Sequence, residues 1–195
     1  MLPRTLAIGV DSTLPRLAVD GVIVALISVQ VWLGWRYGLV RRAFVLLATF
    51  GATIAATYAG NAFGGLINAH DPDVNALCFI GVFVAISLVF ETIGALASPH
   101  LRGLMVVMFD RCSGAAAGAV IGVLQAGVIA LAVLSAGSAQ ARGTAVKPPP
   151  MWTTAEALRS ATLGGAIVGL EPGVKAVLTP GLPANLETHL SGTVN

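Results

Sequence analysis

Charge is what this sequence lacks. Asp, Glu, Lys and Arg make up 10% of its 195 residues, against about 25% in soluble domains. Lysine occurs only at Lys147 and Lys175, and no basic run is longer than Arg41-Arg42. A nucleic-acid surface needs clustered basic residues, so that partner is excluded. Cysteine is limited to Cys78 and Cys112, in no CxxC or Cys/His spacing, so the sequence supports neither a disulfide framework nor a zinc site. His70, His100 and His189 stand in separate segments and compose no ligand set. A phosphate loop, a dinucleotide fingerprint and a G-x-S-x-G turn are all missing. The sequence therefore reads as a non-enzyme with no cofactor and no metal.

What is present is apolar. The hydrophobic set is 56% of the chain and 23 glycines come on top, where soluble domains hold about 45–50% with glycine already counted. Mean hydropathy is +0.85. Such a composition belongs in a bilayer. A helical crossing takes about 20 apolar residues, and the scarce charges mark where crossings end. Four uncharged or nearly uncharged stretches give spans at 17–35, 43–64, 76–97 and 113–137. The alternating segments of about 10 residues that mark a membrane β-barrel are absent. The expected fold is all-α, a membrane bundle of four transmembrane helices over residues 1–137 with a short helical tail over 138–195. The first span carries no small-x-small cleavage site and reads as retained.

The connections differ in kind. Residues 36–42 form a tight turn between the first two spans, and His70-Asp71-Pro72-Asp73 marks a second turn. Residues 104–109 are apolar but too short to cross, and read as an interfacial helix anchored by Arg102 and Arg111. Arg36, Arg41, Arg42, Arg102 and Arg111 fall in the first and third loops, whereas the second carries Asp71 and Asp73. The positive-inside rule makes the arginine loops cytoplasmic, which places both termini outside. In the tail, Lys147-Pro148-Pro149-Pro150 reads as a stiff linker. Thr153-x-x-Glu156 reads as a capping box opening a short helix. Gly164-Gly165, Pro172-Gly173, Pro180-Gly181 and Pro183 read as breaks in the rest of the tail. Short amphipathic helices lying against the membrane or the bundle are expected there.

One motif is more specific. Asp110-Arg111 leads into Gly114, Gly118 and Gly122, three glycines at intervals of four, and Ala126 and Ala130 continue the stripe. On a helix these share one face, and small residues let two membrane helices approach to backbone contact. Gly51, Ala55 and Ala59, or Gly81 and Ala85, are the small residues expected to receive them. Asp-Arg followed by this glycine ladder at the start of a fourth span resembles the colicin V production protein family of bacterial inner-membrane proteins. Asp20, at the entrance to the first span, resembles the early aspartate of that family. The turn Arg36-Tyr37-Gly38-Leu39-Val40-Arg41 resembles its Gly-x-Val-Arg turn. Two positions depart from the pattern: Arg42 stands where an acidic residue often follows, and Ile121 where an arginine often precedes the last glycine. The same module resembles the membrane anchor of an actinobacterial periplasmic serine protease, without the protease domain. The resemblance implies a part in toxin export and envelope maintenance, and no reaction.

Three carboxylates remain to be placed. Asp20 and Asp110 sit at span ends, where they complement the helix dipole; Asp110 could also pair with Arg41 or Arg42. Glu91 lies inside the third span, where a charge costs on the order of 3 kcal/mol. It reads first as a neutral or snorkelling residue and second as part of a proton or solute path. The leading expectation is thus an accessory or scaffold protein that contacts lipid and other membrane proteins or copies of itself. The second is a small oligomeric transporter or channel using Glu91 and the glycine seam. Alkaline phosphatase fused after Asn195 is expected to be active; a silent phosphatase with an active cytoplasmic reporter there would invert the topology.

Overall fold

A computed structural model describes residues 13–66, 72–97, 107–141 and 150–178. Among them are seven helices: α1 (Thr13–Tyr37), α2 (Leu39–Leu66), α3 (Pro72–Ala97), α4 (Val107–Ala141), α5 (Pro150–Ser160), α6 (Thr162–Gly169) and α7 (Glu171–Leu178). The first four run for 25, 28, 26 and 35 residues. Each is long and apolar enough to cross a membrane. Large apolar side chains face outward along them, such as Val22 and Val29 on α1 and Leu88 and Ile93 on α3. In water these would be an aggregation surface; in a bilayer they are the lipid face. The protein is an all-α, multi-pass membrane bundle with a short helical tail.

α4 is the most buried of the four. α1 lies along one side of it, and α2 and α3 lie against each other and against the rest. The α1–α4 contact is made of backbone. A Cβ on Gly114 would run into the Gly34 carbonyl and Gly38, one on Gly118 into the Gln30 carbonyl, and one on Gly122 would come within 2.9 Å of the Ile27 Cα. Gly34 reciprocates against Gly114. This corrects the expectation that α2 or α3 receives the seam: a Cβ on Gly51 or Gly81 would meet nothing within 4 Å. The pattern of small residues is the same on several helices, but only α1 brings a glycine of its own to the point of closest approach. α2 and α3 meet differently, with Ala52 and Ala56 in one buried cluster with Phe79 and Phe83. Thr49, Thr53 and Thr57 are also buried on α2, and each hydroxyl donates to the carbonyl four residues back. Their polarity is therefore met within the helix itself.

The helices overrun the expected spans, and the readings of three connections change. The first turn shrinks to Gly38 alone, at φ 84°, so Arg41 and Arg42 belong to α2. Pro72 and Asp73 form the first turn of α3, where a missing N–H costs nothing and an acidic side chain suits the dipole; His70 and Asp71 lie outside the described residues. Val107–Phe109 open α4 rather than close an interfacial helix, and the rest of that segment lies outside the described residues.

In the tail, α5 begins at Pro150, which puts Thr153 inside the helix and removes the capping box. Gly164 and Gly165 sit within α6, and the break before it is Ala161, in an extended conformation. Pro172 and Gly173 lie in the first turn of α7. The linker residues 147–149 and the breaks at 180–183 lie outside the described residues. The tail helices pack on the bundle: Ala155, Leu158 and Ile167 share a buried cluster with Ile23, Ala126 and Ala130.

Gly118→Leu is expected to force α1 from α4. Overpacking commonly costs about 1–3 kcal/mol, and here the clash is with backbone, which cannot rotate away. A large fall in thermal stability in detergent is the expected result; an unchanged midpoint would mean the two backbones are not in contact.

Candidate functional site

The close approach of α1 and α4 sets the chemistry at one end of the bundle. α1 stops at Tyr37 and α2 starts at Leu39, with Gly38 between them in the left-handed region. That conformation favours glycine. A side chain there would in any case collide with the Asp110 carboxylate. The Asp110 Oδ1 accepts the Leu39 N–H at 2.8 Å. Asp110, on α4, thus caps the start of α2, and its charge faces the positive end of that helix dipole. Gly38 and Asp110 are two halves of one contact. Arg111, beside it, is exposed.

Because the helix resumes at Leu39, Arg41 and Arg42 fall in its first turns and point inward, 4% and 0% exposed. The Arg42 Nη2 lies 3.0 Å from the Glu91 Oε1. Its Nη1 donates to the Gln30 Oε1 at 2.5 Å, and the Gln30 Nε2 donates to the Gln125 Oε1 at 2.7 Å. The Arg41 Nη2 donates to the Glu91 backbone carbonyl at 2.7 Å and reaches its Oε1 at 3.3 Å. The Arg41 guanidinium also lies over the Tyr37 ring, 3.7 Å from its centroid, a cation–π contact. One polar network therefore joins all four long helices: Gln30 on α1, Arg41 and Arg42 on α2, Glu91 on α3 and Gln125 on α4. Lipid offers no water to substitute for these partners, and breaking a buried ion pair costs about 3–5 kcal/mol.

Three readings from sequence are corrected here. Arg41 and Arg42 are not loop arginines at the membrane surface but interior ones; Arg36 and Arg111 remain outward-facing, and Arg102 lies outside the described residues. Asp110 engages a backbone N–H, and neither arginine pairs with it among the described residues. Glu91 does not snorkel toward the surface: its carboxylate lies within 3.3 and 3.0 Å of two guanidinium groups. Gln30 and Gln125 went unnoticed in the sequence. Their signal is faint, a single amide within each of two apolar spans.

Asp20 does comparable work at the other end. Its carboxylate accepts the N–H groups of Thr162, Leu163 and Gly164 at 3.1, 2.9 and 3.2 Å. Ala161, at the N-cap position of α6, has no side-chain oxygen to offer. Asp20 supplies the cap from α1 instead. It was expected to complement its own helix, and it complements a tail helix. Asp20→Ala is expected to cost about 1 kcal/mol and to loosen the tail with the bundle intact. Faster amide exchange at 162–164 is the readout; unchanged protection there would rule the cap out.

No group of three or more His, Cys, Asp and Glu able to hold a metal occurs among the described residues. Cys78 and Cys112 are free thiols. A cleft of about 260 Å³ between α1, α4 and α5 is lined by aliphatic side chains such as Val22, Leu26, Val133 and Leu158. The network at Arg42 and Glu91 and the two capping aspartates are thus where the polar chemistry of the bundle is concentrated.

Comparison with known proteins places these features in one unit. A family model described as Colicin V production protein matches residues 19–166. That stretch holds Asp20, Gly38, the Arg–Glu network, Asp110, the glycine seam and the capped first turn of α6. No curated protein and no solved structure matches the chain, and the likeness to a protease anchor has no counterpart among these findings. With well over half of its length within the match, the chain belongs to the colicin V production protein family.

Proposed function

We propose that the protein is a non-enzymatic accessory or scaffold protein of the bacterial inner membrane. It acts in toxin export and envelope maintenance through helix contacts with other membrane proteins or with copies of itself. One observation supports this reading above the rest. Asp20, Arg41, Arg42, Glu91 and Asp110 each hold one helix to another. A bundle whose interior carboxylates and arginines join its own helices is suited to presenting a fixed surface.

The outward-facing Arg36 and Arg111 lie at the α1–α2 turn and the start of α4, and that end is assigned to the cytoplasm. The tail helices then pack on the extracytoplasmic end. The seam at Gly114, Gly118, Gly122 and Ala126 is occupied within the chain, so it serves the fold rather than a partner. Gly81 and Ala85 face outward on α3, and an added Cβ on Gly81 would meet nothing. Such a small-residue face suits close approach by another membrane helix.

A photocrosslinker at Ala85 is expected to trap a membrane protein or a second copy in native membranes. The purified protein in liposomes is expected to pass neither protons nor solutes. Flux that disappears in Glu91→Gln would overturn the scaffold reading and make this a small oligomeric transporter.

A further inference from the structure

Arg41 and Arg42 are not fully matched. Both salt bridges go to the same Glu91 oxygen, so two guanidinium charges share one carboxylate. Arginine stays protonated in proteins, which leaves a positive charge in excess at this point of the bundle. Asp110 does not offset it by contact, being engaged by the Leu39 N–H. The N–H groups tell the same story. Arg41 Nε, Arg41 Nη1 and Arg42 Nε are buried without a hydrogen-bond partner, on side chains 4% and 0% exposed. An unmet buried donor is costly, and more so on a charged group. Buried polar groups in native structures are as a rule met by a protein partner, an ordered water or an ion.

The surroundings say what kind of ligand. The arginines lie in the first turns of α2, just past the Gly38 turn, so the positive end of the helix dipole faces the same region. Trp32 and Trp35 face outward at the adjoining end of α1, the level at which tryptophan sits among lipid headgroups. Tyr37 covers one side of the Arg41 guanidinium. At Gly94, the stem of Arg41 packs against α3, with room there for no more than a methyl group. An oxyanion with several acceptor oxygens, at headgroup depth, fits this arrangement of charge and unmet donors.

We propose that Arg41 and Arg42 form a binding site for a phosphate group at the membrane interface. The group belongs either to an anionic phospholipid or to free phosphate. Glu91 is the internal competitor: it occupies one edge of each guanidinium and sets the strength with which the pair takes an external anion.

The test compares the wild type, Arg41→Gln and Glu91→Gln in nanodiscs of phosphatidylcholine, alone or with phosphatidylglycerol of the same chains. Inorganic phosphate is titrated as a separate arm. Native mass spectrometry reads retained phosphatidylglycerol, and thermal unfolding reads the effect of phosphate. The wild type is expected to hold phosphatidylglycerol or phosphate roughly tenfold more tightly than Arg41→Gln. Glu91→Gln is expected to bind more tightly than the wild type, an effect that a purely structural ion pair would not produce. Retention of the lipid without a phosphate effect names the lipid; protection by phosphate in phosphatidylcholine alone names the free ion. Equal binding by the wild type and Arg41→Gln overturns the site. Should Arg41→Gln fail to fold, Glu91→Gln decides: binding no tighter than the wild type overturns it.

Discussion

When two helices meet through glycine, their backbones come close enough that no side chain fits between them. In lipid this contact draws on dispersion rather than on release of water, so it depends on fit. The α1–α4 pair meets that condition along the length from Gly34 and Gly114 to Ile27 and Gly122. Other features depend on it. With α1 held against α4, Gly38 is carried to Asp110, and the chain can reverse in one residue because α4 supplies the cap for α2. Gln30 is carried to Gln125. At the far end, α1 and α4 together make the floor on which the tail helices rest.

The polar groups divide into two kinds of contact. Asp20 and Asp110 each satisfy a helix start on another element. A helix end in or near lipid has N–H groups that water reaches poorly, and an aspartate from a neighbour both accepts the bond and balances the dipole. The Arg–Gln–Glu network is different, because it ties the four long helices at one depth and carries more positive than negative charge. The first kind fixes where helices begin. The second fixes which helices lie side by side.

Much of this fold is legible in the sequence, for a physical reason. The cost of placing a residue in lipid is roughly additive along a span, so uncharged stretches mark crossings without knowledge of partners. The partner of the glycine seam is not legible that way, since small residues at intervals of four occur on several helices. Arg41 and Arg42 resemble surface loop arginines because their local sequence is a turn; only the one-residue reversal at Gly38 brings them inside. Arg42 is the fully buried one. Thr153 and Glu156 have the spacing of a cap, yet Pro150 starts the helix earlier. The true cap of α6 is hidden because its carboxylate is 142 residues from the first N–H it holds.

That separation has a consequence for biosynthesis. Chains are made from the N-terminus at about 5–20 residues per second, so Asp20 waits on the order of ten seconds for the amides it will bind. Until then the carboxylate is an unfilled socket at the edge of a helix already in the membrane. The closing contact therefore reports that all four crossings and the start of the tail have been made.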